Sequence, residues 1–157
     1  MKRIILNIGN IKNVIDTAKE AARVLRKGGI VAYPTDTAYG LGADARNATA
    51  MRRIFRMKGR IHAKPLPIAV ANIAMARRIA AISKPAERFL ASVWPGAVTV
   101  LLPNRSKLPL LSTGGALVGM RQPNHAFTNA LFKYINFPIA ATSANISGKM
   151  PAYDIKN

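Results

Sequence analysis

The sequence alternates segments typical of helices with segments typical of buried strands, and this alternation limits the possible folds most strongly. Apolar residues recur at helical spacing over residues 14–27, with Asn13 or Asp16 as a candidate cap and Gly28-Gly29 as the stop. Residues 30–33 then form an apolar run that indicates a buried strand and ends before Pro34. Such alternation predicts an α/β fold whose sheet is at least partly parallel or mixed.

The same alternation continues to the end of the chain. Further helices are predicted over residues 48–57, 72–82 with Asn72 as the cap, from Lys84-Pro85 onward, and over 124–135. Further strands are predicted over residues 3–8, 66–70, 97–102, 116–120 and 138–141. Residues 103–115 and 142–151 are expected to be loops, and no regular element is assigned between residues 34 and 47.

Composition narrows the class of partner. The chain has 157 residues, of which 50% are hydrophobic and 19% charged, a balance that predicts one globular domain rather than a disordered chain. Its 24 Lys and Arg residues exceed its six acidic residues by 18 charges. Such an excess attracts polyanions, so RNA or a nucleotide is the expected partner. The alternative interpretation is a surface adaptation that extends over the whole proteome.

The residue types present exclude several kinds of site, and the lengths of the apolar segments bear on the location of the protein. Without cysteine the chain has no disulfide, no thiolate catalysis and no cysteine-based zinc site, and two histidines are too few for a histidine metal cage. We therefore predict no metal site built from protein ligands. The apolar run near the N-terminus is shorter than a signal peptide needs, and no segment reaches the length of a membrane span, so we expect a cytoplasmic protein.

The strongest local signal is a basic stretch over residues 58–64. It contains Lys58, Arg60 and Lys64 and no acidic residue, where a helical pattern stops and a strand-like run begins. Arginine can direct two N–H groups at phosphate oxygens, and lysine offers a compact charge. The stretch is therefore a candidate phosphate site, with a nucleic-acid surface or a solvated turn as alternatives.

Other polar residues follow predicted strands. In an α/β sheet ligands collect at the carboxyl ends of strands, so the turn Thr35-Asp36-Thr37, Arg121 and the loop with Ser143 and Asn145 are expected to converge with the basic stretch on anionic oxygens. Ser143 and Asn145 either donate to phosphate or ribose, or satisfy their own loop. Arg121 follows a buried run, and with so few acids in the chain a ligand is its favoured partner.

Three further residues have a purely structural interpretation as well as a functional one. Asp36 either orders a hydroxyl group or Mg²⁺, or pairs with Arg121 or Lys58, and we favour the pairing. Trp94 is expected in the core. His125 is a general base by residue type, but its place at the start of a helix makes capping or solvent exposure equally suitable.

Five segments together resemble the YrdC-like L-threonylcarbamoyladenylate synthase family, in family order and over nearly the whole chain. They are the residues 33–42 (YPTDTAYGLG), 58–66 (Lys-Gly-Arg and Lys-Pro-Leu), 94–99 (WPGAVT), 119–121 (GMR) and 142–148 (TSANISG). The resemblance implies an open, twisted, mixed sheet with flanking helices and a concave basic cavity. It also implies a single domain over residues 1–157 of the short type, because the large C-terminal extension of longer relatives is missing. This domain is expected to be short at its C-terminus, since the family continues beyond the Ser-x-Asn loop and this chain stops at Asn157.

The resemblance further implies a reaction in which L-threonine, bicarbonate or CO₂, and ATP give threonylcarbamoyl-AMP and pyrophosphate. A threonylcarbamoyl-transferase partner then modifies the tRNA adenosine beside the anticodon. The resemblance implies that Mg²⁺ accompanies the nucleotide. By match to the family motifs, Lys58 and Arg60 are expected to bind the ATP phosphates and to act in catalysis, and Ser143 and Asn145 to bind ATP. Threonine is expected to bind to Thr35, Arg121 and the Ala141 backbone.

A different class of function remains open from the sequence. A non-catalytic module that binds tRNA or double-stranded RNA needs the same excess of positive charge, and an inactive relative of the enzyme is a further alternative. An ATP site requires particular residues such as Lys58, whereas RNA binding depends on many exposed cations, among them Arg52, Arg77 and Arg78.

Overall fold

The computed structural model describes residues 10–59 and 65–153 of the chain. These ranges contain six helices and six strands, which mostly alternate along the chain. The helices are α1 (Ile11–Arg26), α2 (Ala48–Lys58), α3 (Ile73–Arg77), α4 (Lys84–Val93), α5 (Leu110–Thr113) and α6 (Ala126–Tyr134). The strands are β1 (Val31–Tyr33), β2 (Gly40–Asp44), β3 (Ile68–Ala69), β4 (Val100–Pro103), β5 (Leu117–Arg121) and β6 (Ile139–Ser143).

Polar caps fix where the helices begin. The side-chain oxygens of Asn10, Asn47 and Asn72 each accept a hydrogen bond from the backbone N–H three residues on, which satisfies one of the donors left open at a helix start. The cap of α1 is therefore Asn10 and neither Asn13 nor Asp16. Ser83 caps α4 in the same way, and Pro85 lies in its first turn as predicted.

The sheet is mixed, in the order β1-β2-β6-β3-β5-β4. Only β3 and β5 pair in parallel among the described strands, and every other neighbouring pair is antiparallel. The predicted α/β fold with an open mixed sheet is confirmed. The premise that ligands gather at one carboxyl edge is wrong here, because neighbouring strands mostly end at opposite edges.

Three elements differ from the prediction. Strand β2 was not predicted, because Gly40 to Asp44 contains no β-branched residue and extends only between its neighbours β1 and β6. The loop predicted over 103–115 contains α5. Helix α3 ends well before residue 82, because Ala80 pairs with Asn104 beyond the end of β4. The strand predicted over residues 3–8 lies outside the described residues.

The core has two parts because side chains alternate between the two faces of the sheet. Met51, Ile54 and Phe55 of α2 pack with Leu90 of α4 against one face. On the other face α1 and α6 pack together through residues such as Leu25. Trp94 is buried as predicted. No described helix combines the length and the apolar character needed to cross a membrane.

Candidate functional site

A cavity of about 210 Å³ lies on the sheet face that α1 and α6 partly cover. Its walls come from β3, β5 and β6, from the connection between β1 and β2, and from Thr99 and Pro123. Pockets that enclose drug-sized ligands occupy roughly 300–1,000 Å³. This cavity is smaller than that range, and a group of amino-acid size fits inside it.

The connection between β1 and β2 is shaped by one threonine. The Thr35 hydroxyl donates to the Ala38 carbonyl at 2.7 Å and accepts from the backbone N–H groups of Thr37, at 3.1 Å, and Ala38, at 3.3 Å. A hydroxyl that bonds its own backbone in this way fixes a tight turn. The turn places Thr35, Thr37 and Ala38 together in the cavity wall.

Arg121 is held at the cavity by three acceptors. Its Nε–H donates to the Gly96 carbonyl at 2.9 Å, Nη1 to the Thr37 hydroxyl at 3.1 Å, and Nη2 to Asp36 Oδ1 at 2.5 Å. The Arg121 and Asp36 side chains are only 19% and 17% exposed. The predicted pairing of Asp36 is therefore confirmed, with Arg121 as its partner.

Burial acts on the pKa values of two side chains, Asp36 and Tyr33. For Asp36, burial alone would raise the pKa, but the hydrogen bond and charge of Arg121 and a bond from the Asn124 backbone hold the pKa below its ordinary value. The Asp36 carboxylate therefore stays ionised. Burial raises the pKa of the Tyr33 phenol far above its ordinary value, against a smaller opposing effect of Arg121, so Tyr33 stays neutral.

The contact with Arg121 shows that the β1–β2 connection folds over the sheet. Arg121 pairs with Ala69, which pairs with Ile139 at the beginning of β6, whereas Tyr33 and Ser143 stand level with Gly40 at the opposite edge. Since residues 36 and 37 follow Tyr33 and still reach Arg121, the connection must cross the sheet face. The predicted residues meet for this reason and not because their strands end together.

A second network lies where α2 meets the loop after β6. Lys58, the last residue of α2, is 3% exposed, and its Nζ donates to the carbonyl oxygens of Ser143 and Asn145 and to Asn145 Oδ1. The Ser143 hydroxyl donates to the same Oδ1, and Asn145 Nδ2 donates to Ile146 and Lys149 carbonyls. Lys58 thus fixes the shape of the loop that carries Ser143 and Asn145.

Ser143 joins the two networks, since it lines the cavity and also contacts the Lys58 network through its carbonyl. Within residues 10–59 and 65–153 no three His, Cys, Asp or Glu side chains stand close enough to hold a metal ion.

Comparison with known sequences now decides the family. The sequence profile of the Sua5/YciO/YrdC family, described as Telomere recombination, matches residues 23–157. The chain belongs to this family.

Two similar family members are named Threonylcarbamoyl-AMP synthase. The protein from Bacillus subtilis is 38% identical over 133 residues, which cover 83% of this chain and 38% of that protein. The protein from Pyrococcus abyssi is 43% identical over 131 residues, covering 82% of this chain and 38% of that protein. The chain thus spans about two fifths of the length of these relatives.

The fold agrees with a solved family structure. The structure of Sua5 from Pyrococcus abyssi in complex with L-threonine superposes with a TM-score of 0.82 at 38% identity, covering 96% of this chain and 42% of that one. The resemblance to this family that the sequence motifs indicate is therefore confirmed.

The structure brings most of the predicted site residues together. Thr35, Arg121, Ala141 and Ser143 line one cavity, and Lys58 and Asn145 adjoin it through the loop after β6. Arg60 and Lys64 lie outside the described residues. The ligand contacts assigned to all of these residues stay predictions.

The structure decides between alternatives for two single residues. Arg121 has an anionic partner within the chain, Asp36, because the β1–β2 connection reaches across the sheet, and the ligand also expected for Arg121 stays a prediction. His125 is the cap of α6, and its Nδ1 accepts from the Phe127 backbone N–H at 3.1 Å, so capping accounts for its position.

One acceptor of Arg121 was not predicted as part of the site. Thr37 belongs to the turn that was expected to converge with Arg121, and its hydroxyl accepts from Nη1. The Gly96 carbonyl gives no signal in the sequence, because any residue has a backbone oxygen and only the folded chain brings this one to Arg121.

Proposed function

We propose that this chain makes L-threonylcarbamoyl-AMP and pyrophosphate from L-threonine, bicarbonate or CO₂, and ATP. The observation that carries the proposal is a cavity of amino-acid size with a clamped guanidinium at one end and, through Ser143, a buried lysine network at the other. Family membership and the names of the similar proteins support it.

The chemistry needs positioning and cationic stabilisation more than it needs a nucleophilic side chain. The threonine amine adds to CO₂ and releases a proton, which gives a carbamate. A carbamate oxygen then attacks the α-phosphorus of ATP, and the bond to the β-phosphate oxygen breaks to release pyrophosphate. Since two anions must approach each other, the barrier falls when cations neutralise the phosphates and hold the reactants in line.

The residues divide between the two substrates. Arg121, Thr35 and the Ala141 backbone hold the amino acid in the cavity, where the guanidinium can bond a carboxylate. Lys58 and Arg60 stabilise the ATP phosphates and act as the catalytic cations, and Ser143 and Asn145 bind the nucleotide and carbamate side. Ser143 suits a place between the substrates, because it lines the cavity and belongs to the loop that Lys58 organises.

Magnesium enters this proposal with the nucleotide. Mg²⁺ commonly binds to proteins through substrate phosphates and few carboxylates. The Asp36 carboxylate is occupied by Arg121, and the described residues form no three-ligand cluster of His, Cys, Asp or Glu. We therefore write the substrate as the magnesium complex of ATP and assign no protein ligand to the metal.

The product implies further partners. We propose that a threonylcarbamoyl-transferase takes the group from threonylcarbamoyl-AMP to the tRNA adenosine beside the anticodon, and that the protein works in the cytoplasm with its substrates. Exposed cations on α2, among them Arg52 and Arg56, support a contact with tRNA or another RNA, because each phosphate contact releases counterions. A module that only binds RNA is the second candidate function.

Pyrophosphate release tests the proposal. The purified chain is incubated with magnesium and ATP, L-threonine and bicarbonate, and each substrate is then omitted in turn. We expect release only with all three substrates present. Release that continues without L-threonine would indicate a different nucleotide reaction, and no release from the folded protein would contradict the proposal.

A salt series separates the enzyme from an RNA-binding module. Binding of tRNA to exposed cations should weaken steeply with salt and in similar steps for Arg52→Ala, Arg77→Ala and Arg78→Ala. Pyrophosphate release should be insensitive to these three variants. Salt-dependent tRNA binding without pyrophosphate release would favour the second candidate.

A further inference from the structure

We propose that Asp36 is a positioning residue that holds the Arg121 guanidinium in the direction needed to bind a carboxylate in the cavity. The identity of that carboxylate, the one of L-threonine, rests on the proposed function. The fixing of Arg121 by Asp36 is a property of the chain itself and can be tested without any substrate.

Arg121 has more N–H donors than its described acceptors use. A guanidinium has five N–H donors and no acceptor. Among the described residues, Gly96 takes the one on Nε, Thr37 takes one on Nη1 and Asp36 takes one on Nη2. One N–H therefore remains on each terminal nitrogen, and these two donors are left to bind the oxygens of a carboxylate.

The three acceptors come from separate parts of the chain. Asp36 and Thr37 lie in the connection that crosses the sheet, and Gly96 lies between α4 and β4. The Asp36 contact joins residues 85 positions apart, and both side chains are mostly shielded from solvent. Shielding keeps such a pair in one geometry, whereas an exposed pair would exchange among several.

The role of Asp36 is directional rather than attractive. Its negative charge cancels that of Arg121, so the pair draws no anion into the cavity by net charge. The benefit to a bound carboxylate is that the guanidinium need not be ordered again when the ligand arrives. Direction and charge can be separated, because an asparagine keeps an oxygen acceptor and loses the charge, and an alanine loses both.

The direct test follows the Arg121 side chain by ¹H–¹⁵N NMR of its Nε–H group, assigned with Arg121→Lys. In the wild type we expect a single, ordered signal that exchanges slowly with water. Asp36→Ala should lower the order parameter and speed the exchange about tenfold, the size expected for losing one charged hydrogen bond. Asp36→Asn should leave the signal close to that of the wild type.

Binding of L-threonine, measured by calorimetry, links this positioning to the ligand. We expect the Kd to rise about tenfold in Asp36→Ala and less than about threefold in Asp36→Asn. Equal weakening in both variants would mean that the charge matters and would overturn the positioning role. An unchanged Nε–H signal in Asp36→Ala would overturn it as well, whatever the ligand does.

A second aspartate provides the matched control. Asp44 pairs with Arg46 at 2.7 Å away from the cavity, so Asp44→Ala also removes a carboxylate from an arginine. It should lower stability without changing the Arg121 signal or the Kd of L-threonine. If it changes them as Asp36→Ala does, the effect is general loosening and the proposal fails.

Two further outcomes have separate meanings: a failure of Asp36→Ala to fold, and an absence of L-threonine binding by the wild type. If Asp36→Ala does not fold, Thr37→Val takes its place, because it removes the acceptor of Nη1 without a change of charge, and a smaller loss of Arg121 order is expected. If the wild type binds no L-threonine while Arg121 loosens only in Asp36→Ala, the proposed function fails and the positioning of Arg121 stands.

Discussion

Within the described residues, the chain holds two cations of the site, Arg121 and Lys58, in different ways. Arg121 is fixed by a carboxylate, a hydroxyl and one carbonyl, whereas the bonds described for Lys58 go to two backbone carbonyls and one side-chain amide. The carboxylate of Asp36 cancels the charge of Arg121. The acceptors described for Lys58 are neutral oxygens, which orient its ammonium group and do not cancel its charge.

This difference suggests a division of work. A guanidinium paired with a carboxylate provides direction, which suits a small ligand held in a defined pose. An ammonium group among neutral oxygens contributes its charge to the surrounding potential, which suits phosphate groups whose charge grows during a reaction. The expected effect on activity decreases from Lys58→Ala to Arg121→Lys and then to Ser143→Ala.

Lys58→Ala should have the largest effect. It removes the ammonium group that bonds the loop of Ser143 and Asn145, so pyrophosphate release should fall by at least about 100-fold. Steady-state assays measure the loss, and thermal unfolding checks that the protein still folds.

Arg52→Ala is the matched control for Lys58→Ala, because Arg52 is an exposed cation on the same helix. It should leave pyrophosphate release unchanged. If the two variants lose activity equally, the effect of Lys58 is a general effect of surface charge and the division proposed here is wrong.

Arg121→Lys should act mainly on the amino acid. A single ammonium group has three donors and cannot bond Gly96, Thr37 and Asp36 and also a ligand, so the KM for L-threonine should rise about 10–100-fold. The KM for ATP should change little. A larger rise in the KM for ATP would place Arg121 on the nucleotide side.

Ser143→Ala should have an intermediate effect on both substrates. Its hydroxyl donates to Asn145 Oδ1 inside the Lys58 network, and its residue also lines the cavity. Losing one such bond should lower kcat/KM about tenfold for ATP and for L-threonine alike. A defect confined to one substrate would show that Ser143 does not join the two networks.

The smallest expected effect is the pH dependence of stability that comes from Asp36. Its folded pKa lies below its ordinary value of 3.8, so its contribution to stability is complete above that value and is lost as pH falls through the folded pKa. Urea unfolding at pH 7 should show Asp36→Asn about 1 kcal/mol less stable than the wild type. The gap should narrow near pH 3, and a gap that widens there would contradict the pairing.

The sequence was sufficient where a pattern is local. Helix α1 follows from apolar residues at helical spacing and the glycines after it, and α4 follows from its proline in the first turn. Strand β2 has no such pattern, because Gly40 and Gly42 carry no side chain for a period to show. Gly42 is required by a distant contact, since an added Cβ would lie 2.7 Å from both Ile139 and Tyr33.

The sequence predicted which residues form the site better than it predicted the contacts between them. Residue types and family motifs selected Thr35, Lys58, Arg121 and Ser143, which the folded chain brings to one cavity and its rim. The path of the β1–β2 connection over the sheet could not be read from the sequence, since no local pattern specifies it. The contacts of Arg121 with Asp36 and Thr37 depend on that path, so its exact partners came only from the structure.

The most direct test of the proposed function identifies the product formed from labelled bicarbonate. The chain is incubated with ¹³C-bicarbonate, L-threonine and magnesium ATP, and the products are analysed by mass spectrometry and ¹³C NMR. We predict a labelled carbonyl bonded to the threonine nitrogen and to AMP, present in the wild type and absent in Lys58→Ala. Pyrophosphate without any labelled threonine adduct would contradict the account.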